Sequence, residues 1–264
     1  MMYDLNLINE YLMTNYIGRT IMQFDELKST YIKAKSIFNS CPDGTVILCE
    51  NQTNCIIGFG NEWHSFPEKN VYLSIILKSN TLKYMASRYE IIAAASICKS
   101  VEYIFNNLEC NFKWPNDILV NDKKISSVCC ELMKIKNNDI GIIINICVNV
   151  NSDKNDIDEK LNATSLKIES KKNVDREMLI GCILNNFEMF NDEHINQGEI
   201  DSSRSVCIEK SKIINNYIKI NKIGKKTVRK VYVNSIDENG NLIVVNDKGD
   251  EEIISSGEVT VKYE

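Results

Sequence analysis

Lys113-Trp114-Pro115-Asn116-Asp117 is the stretch from which the rest of this chain is read. The whole sequence holds three prolines and two tryptophans, and this run has one of each. Proline fixes its own φ and pushes the preceding residue into extended geometry. Trp114 is therefore expected to be extended at a strand end, with Asn116 and Asp117 projecting just beyond it. A cation, an amide and a carboxylate around a rigid bend suit a nucleotide-binding edge. A plain strand followed by a tight turn accounts for the run equally well, so the surrounding sequence has to decide.

At 264 residues the chain can bury a real core, as one large domain or as one with a small companion. Hydrophobic and charged fractions are ordinary for a globular protein. A net charge of −5 argues against a general nucleic-acid binder, which normally carries a basic face. The arginines are few: Arg19, Arg88, Arg176, Arg204 and Arg229. The ten cysteines form no C-x-x-C pairs, and Cys49, Cys98 and Cys182 sit in apolar runs. That pattern reads as reduced, buried thiols in a cytoplasmic protein, with neither a disulfide frame nor a zinc site. Adjacent Cys129 and Cys130 lie in a strand-like run and are expected on opposite faces. No apolar run approaches a membrane span, and the first residues lack a basic-then-apolar signal pattern. With two histidines, His64 and His194, a histidine-based triad or metal centre is disfavoured.

Working outward, Thr20 to Phe24 reads as a short strand. Ser29 is placed to cap a helix carrying Tyr31, Ala34 and Phe38 on one face. Pro42-Asp43-Gly44 is a turn, followed by a buried strand from Thr45 to Cys49. A polar loop is expected at Asn51 to Asn54, and another strand at Val71 to Leu77. A long helix follows, with Ala94, Ile97, Val101, Ile104 and Phe105 on its apolar side. Asp122-Lys123-Lys124 reads as a tight connection between strands. Strands are expected from Ile125 to Leu132 and from Asp139 to Val150. The second is apolar nearly throughout and should be central. Near Asp175 a helix begins, turning Leu179, Ile183, Phe187 and Phe190 inward. From about Lys212, short β-branched runs alternate with turn signals, and Asn239-Gly240 reads as a type I′ hairpin turn.

In order, these landmarks resemble the biotin protein ligase family: Ser29-Thr30, Pro42-Asp43-Gly44-Thr45, Gln52-Thr53, Trp63, Asn70 to Ser74 and Lys113 to Asp117. Lys124, Val148 to Asn151, Ala163 to Leu166, Val174 to Glu177 and Ser256 to Val259 continue the series. The resemblance runs from about Ile21 to Val261, and Lys-Trp-Pro-Asn-Asp is its most specific element. It implies an α/β (α+β) catalytic domain over residues 1–210, a mixed sheet flanked by helices. A small SH3-like β-barrel would follow over 211–264. The family's DNA-binding winged-helix extension finds no room ahead of Thr20. The expectation is thus the short, monofunctional form, without nucleic-acid or membrane partners.

The resemblance also implies the chemistry. ATP, as its Mg2+ complex, activates biotin to biotinyl-5'-adenylate, and a lysine of a biotin carboxyl carrier domain then takes the biotinyl group. Lys124 stands at the catalytic lysine position, and Asp117 is implied as a second catalytic group that binds magnesium or orients the acceptor lysine. Ser29, Thr30 and Gln52 match positions that hydrogen-bond the biotin head group. Tyr31, Ile56, Ile57, Gly58 and Lys124 complete the biotin-binding set. Trp63, Asn116, Asp117 and Asn149 match nucleotide-side positions. From the residues alone, Ser29 is also a plain helix cap, Gln52 a loop amide, Trp63 a core residue and Lys124 a solvated lysine. A homodimer is a further expectation from the family.

The sequence departs from the family where the family is most recognisable. Its loop G-R-G-R-x-G-R corresponds here to Cys55-Ile56-Ile57-Gly58-Phe59-Gly60-Asn61, with every arginine gone. A charge-assisted hydrogen bond contributes roughly 1.5–3 kcal/mol, so each lost arginine weakens adenylate binding. Lys69 and Lys123 are the candidate replacements for that charge. Glycines of the family are also replaced by Ser127, Asn145 and Cys147, whose side chains occupy places where the backbone meets ligand. Three readings follow: a biotin ligase with a looser adenylate grip, an enzyme on the same scaffold activating another carboxylate, or a non-catalytic ligand- or carrier-binding paralogue. Retention of Lys124 and Asp117 favours the first two.

Overall fold

The apolar run that ends near Val150 becomes β9 (Ile140–Val148), the fourth of seven strands in the larger sheet. The computed structural model describes residues 2–57, 61–78, 85–134, 140–157, 161–224 and 227–262. Across the sheet the order is β1 (Ile21–Leu27), β2 (Thr45–Gln52), β5 (Val71–Lys78), β9, β8 (Lys123–Lys134), β7 (Asp117–Val120) and β6 (Cys110–Lys113). β1 and β2 are parallel and all other neighbours antiparallel, which makes the sheet mixed, as expected. A strand covered on both faces has no solvent side to make polar, hence the continuous apolar run of β9.

Helices lie on both faces. α2 (Thr30–Ile37) packs Ala34, with Phe38 just beyond it, onto Ile47, Ile76 and Ile143. On the other face α3 (Ala86–Ile104) lies against β6 to β9, and α5 (Arg176–Gln197) packs behind it. α1 (Leu5–Tyr11) leans on α5, and α6 (Asp201–Glu209) on α3. The short α4 (Leu166–Ser170) follows β9. The starts of α2 and α5 are where their capping residues put them. Ser29 accepts from Tyr31 N–H, and Asp175 accepts from Met178 N–H. All four expected inward residues of α5 are buried.

Three local expectations need correction. The polar loop starts later than expected, because β2 continues through Gln52. Lys123 and Lys124 belong to β8 itself; the connection is the two-residue turn Asn121-Asp122, with φ of 50° and 62°. Two successive positive φ values are the type I′ signature, and the short Asn and Asp side chains tolerate them. Trp114 is not the extended end of a strand, and Asp117 does not project beyond one but opens β7. Trp114 sits in the turn 114–116 that joins β6 to β7, is linked to Pro115 by a cis peptide, and is only 2% exposed.

A separate five-stranded antiparallel sheet forms the C-terminal part. Its order is β13 (Glu251–Ile254), β12 (Leu242–Val245), β11 (Val228–Ile236), β10 (Tyr217–Lys222) and β14 (Val259–Lys262). β13 escaped the sequence reading because Glu251-Glu252 looks like loop. Asn239-Gly240 does join two strands, but the turn is not type I′, since Gly240 alone has positive φ, +82°. The Asp237 carboxylate accepts from the backbone N–H of both Asn239 and Asn241 at 2.8 Å, and holds a wider three-residue loop. This turn docks on the first part of the chain. Trp114 Nε1 donates to Gly240 O at 2.9 Å, and Arg88 donates to Asn239 Oδ1 at 2.9 and 3.2 Å. A Cβ on Gly240 would stand 2.7 Å from Ser87 O. Apolar residues of both sheets share one continuous core. All ten cysteines are free thiols, and no described helix is long and apolar enough to cross a membrane.

Candidate functional site

Register places the chemistry on the α2 face of the larger sheet. Directly paired residues in neighbouring strands share a face. One row crosses six strands in register: Cys49, Tyr72, Cys147, Ser127, Asp117 and Lys113. The next row toward α2 contains Ile47, Ser74, Asn145 and Cys129. On the far side of Asp117, Leu119 pairs with Lys124.

Lys124 reaches this face through an irregularity. Ile118 pairs with Ser126 and Leu119 with Lys124, so Ile125 is an extra residue in β8. Strict alternation from Ser127 would put Ile125 on the α2 face and Lys124 on the other. The bulge reverses this, turning Ile125 into the core and Lys124 toward Asp117. Lys124 Nζ lies 2.7 Å from Asp117 Oδ2, and Ser127 donates to Asp117 Oδ1 at 2.9 Å. The backbone of Lys124 is clamped by Asn162 O at 3.0 Å and by Thr164 N–H at 2.8 Å. The result is a fixed, partly exposed cation at one end of the face.

A buried polar cluster occupies the other end. Gln52 Oε1 accepts from the N–H of Thr30 at 2.7 Å, and the Thr30 hydroxyl lies 3.3 Å from the same oxygen. Asn145 Oδ1 accepts from Thr30 Oγ1 at 3.1 Å and from Ser74 Oγ at 3.0 Å. Thr30, Gln52, Ser74 and Asn145 are all buried, and Asn145 Nδ2 has no partner among the described residues. Between the two ends lies a wall of sulfur and aromatic rings. Cys55 and Cys147 touch, Sγ to Sγ at 3.5 Å, beside Tyr72 and the half-buried Trp63. Gln52 Nε2 donates to Cys55 Sγ at 3.1 Å. The hydrogen bond with Cys55, together with burial, holds the Cys147 thiol well above its ordinary pKa. It is therefore a neutral packing group here and no nucleophile. Burial raises the Tyr72 phenol to about 12.

The remaining sequence candidates distribute as follows. Ser29 is a buried helix cap at the edge of the cluster. Tyr31 turns toward the rim, its hydroxyl accepting from Lys35 Nζ, which also pairs with Glu131 at 2.7 Å. Ile56 and Ile57 form β3, paired with β4 (Asn61–Glu62). Gly58 lies outside the described residues. Trp63 Nε1 is buried and has no partner among the described residues, and its ring packs against Cys55, Tyr72 and Cys147. Asn116 and Asn149 commit their amide N–H groups to backbone, Asn116 to Val128 O at 2.7 Å and Asn149 to Thr164 O at 3.1 Å. Both brace the strands that carry Asp117 and Lys124. Lys69 does not replace a lost arginine, since it is paired with Asp153 and Asp156 at 3.3 and 2.6 Å. Lys123 is exposed. Sequence reasoning missed Ser74 and Tyr72 as site residues. Their signal was a polar residue in mid-strand within an otherwise apolar run, which marks a buried position with a hydrogen-bonding purpose.

The arrangement offers a cation for developing negative charge, a polar recess for a head group and an apolar wall between them. Residues 21–151 match the Biotin/lipoate A/B protein ligase family. The chain is 31% identical over 180 residues to the bifunctional ligase/repressor BirA of Bacillus subtilis, covering 67% of this chain and 55% of that protein. It is 25% identical to the chloroplastic biotin–protein ligase 1 of Arabidopsis thaliana over 205 residues, 74% of this chain and 54% of the other. The chain thus spans about half the length of the curated relatives it matches. In fold it is similar to the biotin protein ligase of Aquifex aeolicus in complex with biotin and ATP. That similarity has a TM-score of 0.80 at 20% identity, covering 93% of this chain and all of the other.

Proposed function

The chain belongs to the biotin/lipoate A/B protein ligase family, and from that premise we propose that it is an ATP-dependent biotin protein ligase. The first step joins a biotin carboxylate oxygen to the α-phosphorus of ATP, breaking the bond to pyrophosphate and giving biotinyl-5'-adenylate. In the second, the amine of an acceptor lysine attacks the acyl carbon, AMP departs and the amine loses a proton. The acceptor in this reading is a biotin carboxyl carrier domain. Residues 1–210 serve as the catalytic unit, and 211–264 as an SH3-like C-terminal unit. The same reading puts the enzyme in the cytoplasm, where its thiols stay reduced.

One observation carries the reading: Lys124, held by Asp117 at 2.7 Å, shares a continuous sheet face with the Thr30–Gln52–Ser74–Asn145 recess. A bound acid would place its head in the recess and its carboxylate toward the ammonium. There Lys124 offsets the repulsion between carboxylate and α-phosphate and stabilises charge in the transition state. Mg2+ enters with ATP as part of the substrate. Asp117 has one oxygen on Lys124 and the other on Ser127, which suits orienting the lysine better than binding metal. Among the described residues no group of three or more metal-ligating side chains gathers.

The test is pyrophosphate release from magnesium-ATP with a panel of carboxylic acids. Biotin-dependent release that disappears in Lys124→Ala is the expected outcome. Release with another acid alone would support a second reading, an enzyme of the same scaffold with a different substrate. That reading is favoured by the Asn145 and Cys147 side chains on the ligand-facing rows. Release with none would leave a carrier- or ligand-binding paralogue.

A further inference from the structure

Asn145 is the one member of the polar recess whose hydrogen bonding is incomplete. Its Oδ1 accepts from Thr30 and Ser74, while Nδ2 is buried without a partner among the described residues. Exchanging the two amide atoms would leave the oxygen orphaned in turn, with the nitrogen then donating to the two hydroxyls. The carbonyl stands inward, because the exchanged form would leave the Thr30 hydroxyl only Gln52 Oε1 to donate to, 3.3 Å away and already accepting from Thr30 N–H. Asn145 Oδ1 instead accepts from both Thr30 Oγ1 and Ser74 Oγ and leaves the amino group free. A buried amide donor left unpaired costs about 1–3 kcal/mol, so such groups are rare unless something else completes them. The side chain is 1% exposed, in mid-strand on β9, with Cys147 two residues further along the same face. Beyond Cys147 stands Trp63, whose Nε1 is likewise buried and without a partner among the described residues. Two unsatisfied donors flanking one thiol wall describe a site built for a ligand that brings its own acceptors.

We propose that Asn145 is a specificity-determining residue, its Nδ2 donating to the oxygen of a cyclic urea or amide head group. The inference rests on the carboxylate-activating reading given above and deepens it. Thr30 and Ser74 fix the amide, so the recess presents a donor at a set place and disfavours a head group that presents another donor there. An acid whose ring offers only donors is rejected because two N–H groups would face each other in a dry recess, and each unpaired group is penalised.

The test measures binding of biotin and of 2-iminobiotin by titration calorimetry. In the second ligand a C=N–H replaces the ureido C=O, and the ring is a guanidinium cation at neutral pH. Wild type is expected to prefer biotin. Asn145→Ala should weaken biotin about five- to a hundredfold, the span set by leaving a buried polar group unpaired. Asn145→Asp turns the donor into a carboxylate acceptor and should reverse the preference, rescuing 2-iminobiotin; that rescue also reports a folded recess. Biotin bound by Asn145→Ala as tightly as by wild type, or no reversal in a folded Asn145→Asp, would overturn the assignment while leaving the ligase reading intact. Wild type that binds neither ligand would overturn both.

Discussion

Lys124 touches Asp117 because Ile125 is the odd residue in its ladder, so the geometry of the cation is set by backbone pairing as much as by its own side chain. Asp117 is in turn fixed by Ser127, which makes a three-residue relay across two strands. Removing the charge of Asp117 would let the ammonium swing toward solvent, since Lys124 is already 29% exposed. Asp117→Asn is therefore expected to lower the pyrophosphate-release rate roughly ten- to a hundredfold, the usual worth of one charge-assisted contact. Ser127→Ala should have a smaller effect in the same assay. Equal rates in wild type and Asp117→Asn would show that Lys124 is positioned by the β8 clamp alone. Lys124 and Asp117 stand out in the sequence by their spacing from Trp114. Their contact could not be read there, because a bulge is a property of two paired strands and leaves no mark on either one.

Among the elements, the turn between β11 and β12 bears more than its length suggests. It gives Trp114 its hydrogen-bond acceptor, Arg88 an amide oxygen, and α3 a close backbone neighbour at Ser87. Gly240→Ala adds a methyl 2.7 Å from a backbone oxygen, at a φ of +82° that a side chain disfavours. Thermal unfolding of that variant should show a loss of about 1–3 kcal/mol. An unchanged melting temperature would mean that the turn can leave α3 without consequence. The same elements show what sequence can carry. Ser29 and Asp175 announce α2 and α5 because a cap is a local interaction, and β9 announces its central place through composition. Ser74 meeting Asn145, and Trp114 meeting Gly240, depend on register and on packing across 71 and 126 residues of sequence. No local pattern encodes either contact.

For the whole molecule, two buried titratable groups shape the response to pH. Burial, with the nearby Arg88 charge second, pushes the His194 pKa down, so the folded protein keeps this ring neutral. The unfolded chain takes up that proton near the ordinary histidine value of about 6.5, so stability is full above it and falls as pH drops below. Glu90, on α3, runs the other way, raised by burial to about 7 despite its bond to Ser256. The unfolded chain releases this proton near pH 4.5, so stability declines as pH climbs from there to about 7 and then levels off. Glu90→Gln should remove that decline and raise the urea midpoint at pH 8 relative to wild type. His194→Gln should flatten the acid side. Wild-type and Glu90→Gln curves of the same shape between pH 5 and 8 would refute the assignment.

The two tryptophans have separate surroundings: Trp114 is sealed between the two sheets against the β11–β12 turn, and Trp63 stands half-buried beside the paired thiols. They are the chain's only indoles. Intrinsic fluorescence is thus a two-channel instrument built into the sequence. Emission from Trp114 should be blue-shifted and insensitive to soluble quenchers until the C-terminal sheet lifts away. Emission from Trp63 should be quenched by the neighbouring sulfur and altered when a ligand enters. In Trp63→Phe the remaining signal would follow inter-sheet docking alone, and ligand occupancy and separation of the two sheets become independently visible in one cuvette.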